Sequence, residues 1–122
     1  MVSQAPDLPM PSAERRFAPR ARSDLAVRVG IGRMLADARS MDVSMGGILI
    51  TRDRPILLAD TTLYLDVVLQ IPGEKKPILA VARTVWWWGP YQALRFVKMA
   101  QSDRLRLAEY IDRVTPKRAK AG

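Results

Sequence analysis

From Leu63 to Ile71 every second residue is a large aliphatic: Leu63, Leu65, Val67, Leu69 and Ile71. A period of two places all five on one face of an extended chain. Tyr64, Asp66, Val68 and Gln70 then occupy the other face, where Asp66 and Gln70 suit water. This segment reads as a half-buried strand spanning 62–71, and a half-buried strand needs neighbours of the same period. The flanks supply them. Pro72-Gly73-Glu74-Lys75 is a strong turn signal, after which 77–88 forms a long strand, Gly89-Pro90 turns, and 91–97 forms another. Upstream, 25–29 suits a first strand, Gly30-Ile31-Gly32 a turn, 34–42 a second strand and 47–51 a third. Asp53-Arg54-Pro55 breaks the pattern and leaves 56–60 as a connector.

After residue 100 the period changes. A helix starts at Gln101 or Ser102, with Asp103 in its first turn and Arg113 in its last, both favourable to the helix dipole. Leu107, Ala108, Tyr110, Ile111 and Val114 recur at helical spacing and form the expected apolar stripe, and Pro116 ends the helix. The fold expected is mainly β: a six-stranded antiparallel barrel, with one C-terminal α-helix across an open end or face. Residues 1–13, with Pro6, Pro9 and Pro11 among small and polar residues, read as a disordered arm. Residues 14–114 form the domain, and 115–122 a basic tail.

Composition narrows the function classes. The chain of 122 residues has neither cysteine nor histidine. That removes disulfides, thiolate metal sites and the commonest general acid/base, so an enzyme is disfavoured and no cofactor is expected. Lys+Arg number 20 against 12 Asp+Glu, a net charge of +8. Most of the basic residues are arginine, which contacts phosphate and guanine edges bidentately and points to an anionic partner. No apolar run approaches the roughly 18 residues of a membrane span. The N-terminus lacks the features of a signal peptide, so a soluble, cytoplasmic protein is expected.

Two short patterns carry the candidate chemistry. The first is Asp42-Val43-Ser44-Met45-Gly46-Gly47, a polar turn between two strands that enters Ile48-Leu49-Ile50. Asp42 and Ser44 are two apart and share a face. The glycines tolerate unusual backbone geometry and leave room for a ligand. Met41 and Met45 flank the turn as gap-fillers. The second pattern is the Arg16-x-x-x-Arg20 spacing just before the first strand, in a segment that Pro19 keeps out of helix and in a loop. Each alone is weakly informative.

Their order and context are more specific, and together they resemble the PilZ domain, whose members bind the bacterial second messenger cyclic di-GMP. The resemblance covers 14–114. It includes Arg16 and Arg20, Asp42-x-Ser44-x-x-Gly47, and Phe96-Val97 ahead of Ser102-Asp103-Arg104. It implies a PilZ-type barrel in which a mobile arginine loop closes over ligand held against the barrel wall. By the resemblance, Arg16 and Arg20 contact phosphate and guanine, while Asp42, Ser44 and Gly47 supply the barrel-side contacts. An arginine at the position of Arg15 is associated in the family with a stacked, intercalated ligand dimer. Arg22 is assigned to the surface. Where many members have glycine in the last strand, this chain has Ala93, whose methyl group alters packing there. Trp86-Trp87-Trp88 is assigned to core and rim packing, with at least one exposed ring beside Tyr91 as a partner surface.

Three readings remain at this level: a cyclic di-GMP receptor that signals to a protein partner, a PilZ-fold interaction module that senses no nucleotide, and a nucleic-acid binder using its charge. Specific nucleic-acid binding is the least expected of the three.

Overall fold

The alternating segment is realised in the computed structural model as a strand, Tyr64–Gln70, whose inward residues Leu65, Val67 and Leu69 are fully buried. Ile71 continues the same face. The structure describes residues 20–22, 24–52 and 62–115. In chain order they form β1 (Arg20–Arg22), β2 (Ala26–Ile31), β3 (Met34–Ser44), β4 (Gly47–Thr51), β5 (Tyr64–Gln70), β6 (Ile78–Trp88), β7 (Tyr91–Met99) and the helix α1 (Gln101–Val114).

Six strands close on themselves in the order β3-β2-β5-β6-β7-β4, and β4 returns to β3. Every pairing is antiparallel. The result is the six-stranded barrel expected, and closure leaves no sheet edge among these six. The interior is one aliphatic cluster drawn from alternate positions of every strand, including Val27, Val29, Val43, Ile50, Leu65, Leu69, Ile78 and Leu94. Among the described residues three glycines have the positive φ that tight turns favour, Gly32, Gly73 and Gly89, in the β2–β3, β5–β6 and β6–β7 connections.

Several boundaries differ from the sequence expectation. β2 runs on to Ile31, and β7 extends to Met99. On α1, Leu107, Tyr110 and Ile111 are buried, but Ala108 and Val114 are exposed, so the apolar stripe is narrower than its spacing implied. The helix packs against β1 and β6. Its first turn is tied to the β5–β6 connection by Arg106, which donates to Glu74 at 2.7 Å and Asp103 at 3.0 Å, and to the Lys76 carbonyl. These carboxylates raise the Arg106 guanidinium above its ordinary pKa, Glu74 most of all. Asp103 also accepts from the Leu79 amide at 3.3 Å. So Asp103 serves tertiary packing besides the helix dipole.

The largest departure is β1. Its residues were expected in a loop, yet they pair with the end of β3: Arg20 with Ser44, Ala21 with Val43, Arg22 with Asp42. β2 then takes over the same side of β3, with Ala26 opposite Arg39. The two registers differ by one residue, and the seam falls at Leu25 and Ser40. There the Leu25 amide donates to Ser40 Oγ at 2.9 Å, and the Ser40 amide donates to the Leu25 carbonyl at 3.0 Å. Both residues are buried. The limit proposed for the arm, and residues 116–122 of the basic tail, lie outside the described residues.

Ser40→Ala removes the hydroxyl and strands a buried amide, which costs about 1–3 kcal/mol. In urea unfolding the midpoint should fall while the m-value stays constant. An unchanged midpoint would show that the seam is held by something else.

Candidate functional site

The site is built on the last residues of β3. Ala38, Ser40 and Val43 are buried, while Asp42 and Ser44 are half-buried on the outer wall. Strict alternation would have put Asp42 on the same face as Ser40. The reason it is not lies in the ladder: β3 pairs Ser40 with Ile50 but Asp42 with Leu49, so Met41 is an extra residue, a β-bulge. Bulges re-aim side chains in this way. Met41 is exposed, so its contribution is to the backbone register. It does not fill a gap.

The turn after Ser44 is held by the serine itself. Ser44 Oγ accepts from the Gly46 amide at 3.2 Å and approaches the Gly47 carbonyl at 3.5 Å. The Gly46 carbonyl accepts from the Phe96 amide at 2.9 Å, which fastens the turn to β7. Neither glycine has positive φ. Gly47 is glycine for another reason. A β-carbon built on it would lie 2.2 Å from the Leu94 carbonyl oxygen, whereas one on Gly46 meets nothing nearer than Ser44 Oγ at 4.0 Å.

Directly paired residues in an antiparallel ladder share a face. The register therefore brings positions 20 and 22 onto the face of Asp42 and Ser44, with Arg20 opposite Ser44 and Arg22 opposite Asp42. The spacing of two between Arg20 and Arg22 matches that of Asp42 and Ser44, as the pairing shows. Arg15 and Arg16 lie outside the described residues. On the other side, Gly47 pairs with Arg95 of β7, which pairs with Arg83 of β6. Asp42 pairs with Leu49, Leu49 with Ala93, and Ala93 with Trp86. The Ala93 methyl thus stands in the outer row that contains Asp42, two strands away. None of the three tryptophans is in the core: Trp86 is half-buried, and Trp87 and Trp88 are exposed.

A cleft of about 620 Å³ lies farther along β3, lined by Arg28, Asp37, Arg39, Thr51, Arg52 and Gln70 among others. Its arginines are largely spoken for. Arg39 is paired with Asp24 at 2.6 Å, and its hydrogen bond holds the Asp24 carboxyl below the usual range; Arg28 stands 3.8 Å from Asp37. Arg52 is half-buried, and burial pulls its guanidinium below the ordinary pKa. The Asp42 turn stands instead in register with positions 20 and 22 of β1, and Gly47 in register with Arg95 of β7. Among the described residues no cluster of three or more acidic side chains is arranged to hold a metal.

Gly47→Ala forces the methyl into β7 and should cost about 1–3 kcal/mol, as overpacking does. Gly46→Ala has open space and an ordinary φ, and should gain about 0.4–1 kcal/mol through the unfolded chain. Thermal unfolding of the two variants separates them, and the reverse order would contradict this packing.

No protein-family profile and no curated protein matches the chain. Among solved structures it is similar to the Bacillus subtilis inhibitor of motility, MotI/DgrA, with 21% sequence identity and a TM-score of 0.66. The match covers 81% of this chain and 50% of that one, so the chain spans half the length of the structure it resembles. At this identity the likeness is one of fold.

Proposed function

We propose that this chain is a PilZ-type receptor that binds cyclic di-GMP and passes the signal to a protein partner. The observation that carries the proposal is the β1–β3 register. It sets the end of the arginine segment against Asp42 and Ser44, two halves of a motif pair that the sequence separates by more than twenty residues. The resemblance in the sequence supplies the ligand. The B. subtilis protein, an inhibitor of motility by name, agrees with a regulatory role rather than catalysis.

Cyclic di-GMP presents two phosphates and two guanines. In the proposed complex Arg16 and Arg20 bridge phosphate oxygens and guanine O6 and N7. Asp42 accepts from guanine N1–H and N2–H. Ser44 holds the turn and offers its hydroxyl, which both donates and accepts. Gly47 keeps this part of the wall free of a side chain. Arg15 adds a guanine contact that favours an intercalated ligand dimer. Because the arginine segment continues directly into β1, ligand bound across Arg16, Arg20 and Asp42 stabilises the paired form of β1. The signal is the resulting shift in population, and its size is limited by the difference in ligand affinity between the two forms. No step requires a cofactor, and the site is read as cytoplasmic because the messenger is. Among the described residues no helix is long and apolar enough to cross a membrane.

The exposed rings of Trp87 and Trp88 favour a second reading, in which the barrel docks a protein partner and senses no nucleotide.

Isothermal titration with cyclic di-GMP, GTP and a short DNA duplex separates the readings. The wild type should bind cyclic di-GMP selectively, with a weaker salt dependence than a polyanion binder shows. Arg16→Ala and Asp42→Ala should each weaken binding about 10- to 100-fold, the value of a hydrogen bond to a charged group. No binding at micromolar ligand ends the receptor reading, and normal binding by both variants ends the residue assignment. A stoichiometry near two ligands per chain supports the role of Arg15, and a ratio of one removes the dimer.

A further inference from the structure

The cleft along β3 is built from two neighbouring rows of the sheet. Gln70, Ala26, Arg39 and Thr51 are successive partners across β5, β2, β3 and β4. Val68, Arg28 and Asp37 form the next row across β5, β2 and β3. All of them line the cleft of about 620 Å³. They alternate along their strands with the buried Val27, Ala38, Ser40, Ile50 and Leu69, so the cleft lies on the outer wall. Ala26 is exposed between Gln70 and Arg39, and its single methyl leaves the wall low there. Pro77 and Arg52 also line the cleft, whereas Asp42, Ser44 and Gly47 do not.

The charges of the cleft do not balance. Arg39 is paired with Asp24 at 2.6 Å, and Arg28 stands 3.8 Å from Asp37. Arg52 is different. Its Nη1 is buried and has no hydrogen-bond partner. Among the described residues no carboxylate lies within ion-pair distance of it. Buried polar groups are nearly always hydrogen-bonded, and a buried charge without a counter-charge is costly. Burial lowers the Arg52 guanidinium from its ordinary pKa, but arginine still keeps its proton at neutral pH. Relief therefore comes from an anion, and one positive charge calls for one negative group. The size and lining of the cleft say what else that anion carries. Organic ligands occupy pockets of roughly 300–1,000 Å³, with apolar walls and a few polar groups that fix orientation. Ala26, Val68 and Pro77 supply apolar wall, and Thr51 and Gln70 supply polar groups.

We propose that this cleft binds a small organic monoanion, its acidic head on the Arg52 guanidinium and its apolar body over Ala26, Val68 and Pro77. A guanidinium fork takes a carboxylate with two parallel hydrogen bonds. The site is a second one, separate from the Asp42 turn, and it stands or falls independently of cyclic di-GMP.

The test is isothermal titration of the full chain with octanoate, 1-octanol and inorganic phosphate, all below the concentration at which octanoate forms micelles. The wild type should bind one octanoate per chain and bind 1-octanol more weakly, by about 10- to 100-fold, the value of a hydrogen bond between charged groups. Arg52→Met should lose that preference and bind both compounds alike. Ala26→Leu changes no charge but fills the floor of the cleft, and should weaken octanoate and 1-octanol together. Neither substitution should alter the affinity for cyclic di-GMP. Failure of octanoate to bind the wild type overturns the proposal, as does equal binding of octanoate and 1-octanol. Retention of the preference in Arg52→Met removes the role of Arg52. Inorganic phosphate binding as tightly as octanoate overturns the organic ligand, because the apolar wall would then add nothing. Competition between cyclic di-GMP and octanoate overturns the separation of the two sites. If cyclic di-GMP does not bind at all while octanoate behaves as expected, the receptor reading fails and the cleft stands.

Discussion

The single extra residue at Met41 is the constraint on which this molecule depends. β3 must do two incompatible things in eleven residues. Its first part fills the barrel with Ala38 and Ser40, and its last part must show Asp42 to the outside while keeping Val43 within. A strand of strict period two does not allow Ser40 and Asp42 to point opposite ways. The bulge resolves the conflict, and it does so at the point where β3 changes neighbours from β2 to β1. The seam at Leu25 and Ser40 is the matching adjustment on the other side. One irregularity thus serves closure, core packing and the presentation of the site together.

Electrostatics follows from the same geometry. A barrel wraps its outer rows around a small circumference, so residues far apart in sequence meet at the spacing of neighbouring strands. Positions 20 and 44 stand opposite each other, and 47, 95, 83 and 64 follow one another across four strands, the two sets meeting where Ser44 Oγ approaches the Gly47 carbonyl. Two other arginines are compensated by carboxylates: Arg39 by Asp24, and Arg106 by Glu74 and Asp103. Net charge alone is compatible with a diffuse basic surface; the register is what sets particular basic positions beside one another.

Much of this was legible in the sequence. The alternation of Leu63 through Ile71 identified a strand and its buried face, and the strands on either side followed from Gly and Pro turn signals. Asp42, Ser44 and Gly47 were recognisable as marking a turn between two strands. What the sequence did not disclose depends on tertiary pairing. Arg20-Ala21-Arg22 has no apolar period and follows Pro19, so nothing local marks it as a strand; its pairing with β3 is what makes it one. Met41 gave no sign of being surplus to the ladder, because a bulge is defined by the partner strand. The buried role of Ser40 was hidden for the same reason. Trp86-Trp87-Trp88 misled in the opposite direction, since large aromatics usually signal burial whereas these sit at the end of β6 beyond the filled interior. Gly47 was singled out for ligand access; the structure supplies a packing reason for glycine there that sequence alone could not reveal, the carbonyl of Leu94 across the ladder.

Among the described residues β1 has three residues, one strand neighbour, and a helix leaning against it. Each of the six barrel strands, by contrast, is hydrogen-bonded on both sides. Free energies of local opening scale with such support and range from near zero at lightly held termini to the global value in the core. By that measure β1 is the more weakly held of the two, a hem on the barrel. Asp42 and Ser44 have supports that do not depend on it: the β3–β4 ladder, the Gly46 amide on Ser44 Oγ, and the Phe96 amide on the Gly46 carbonyl.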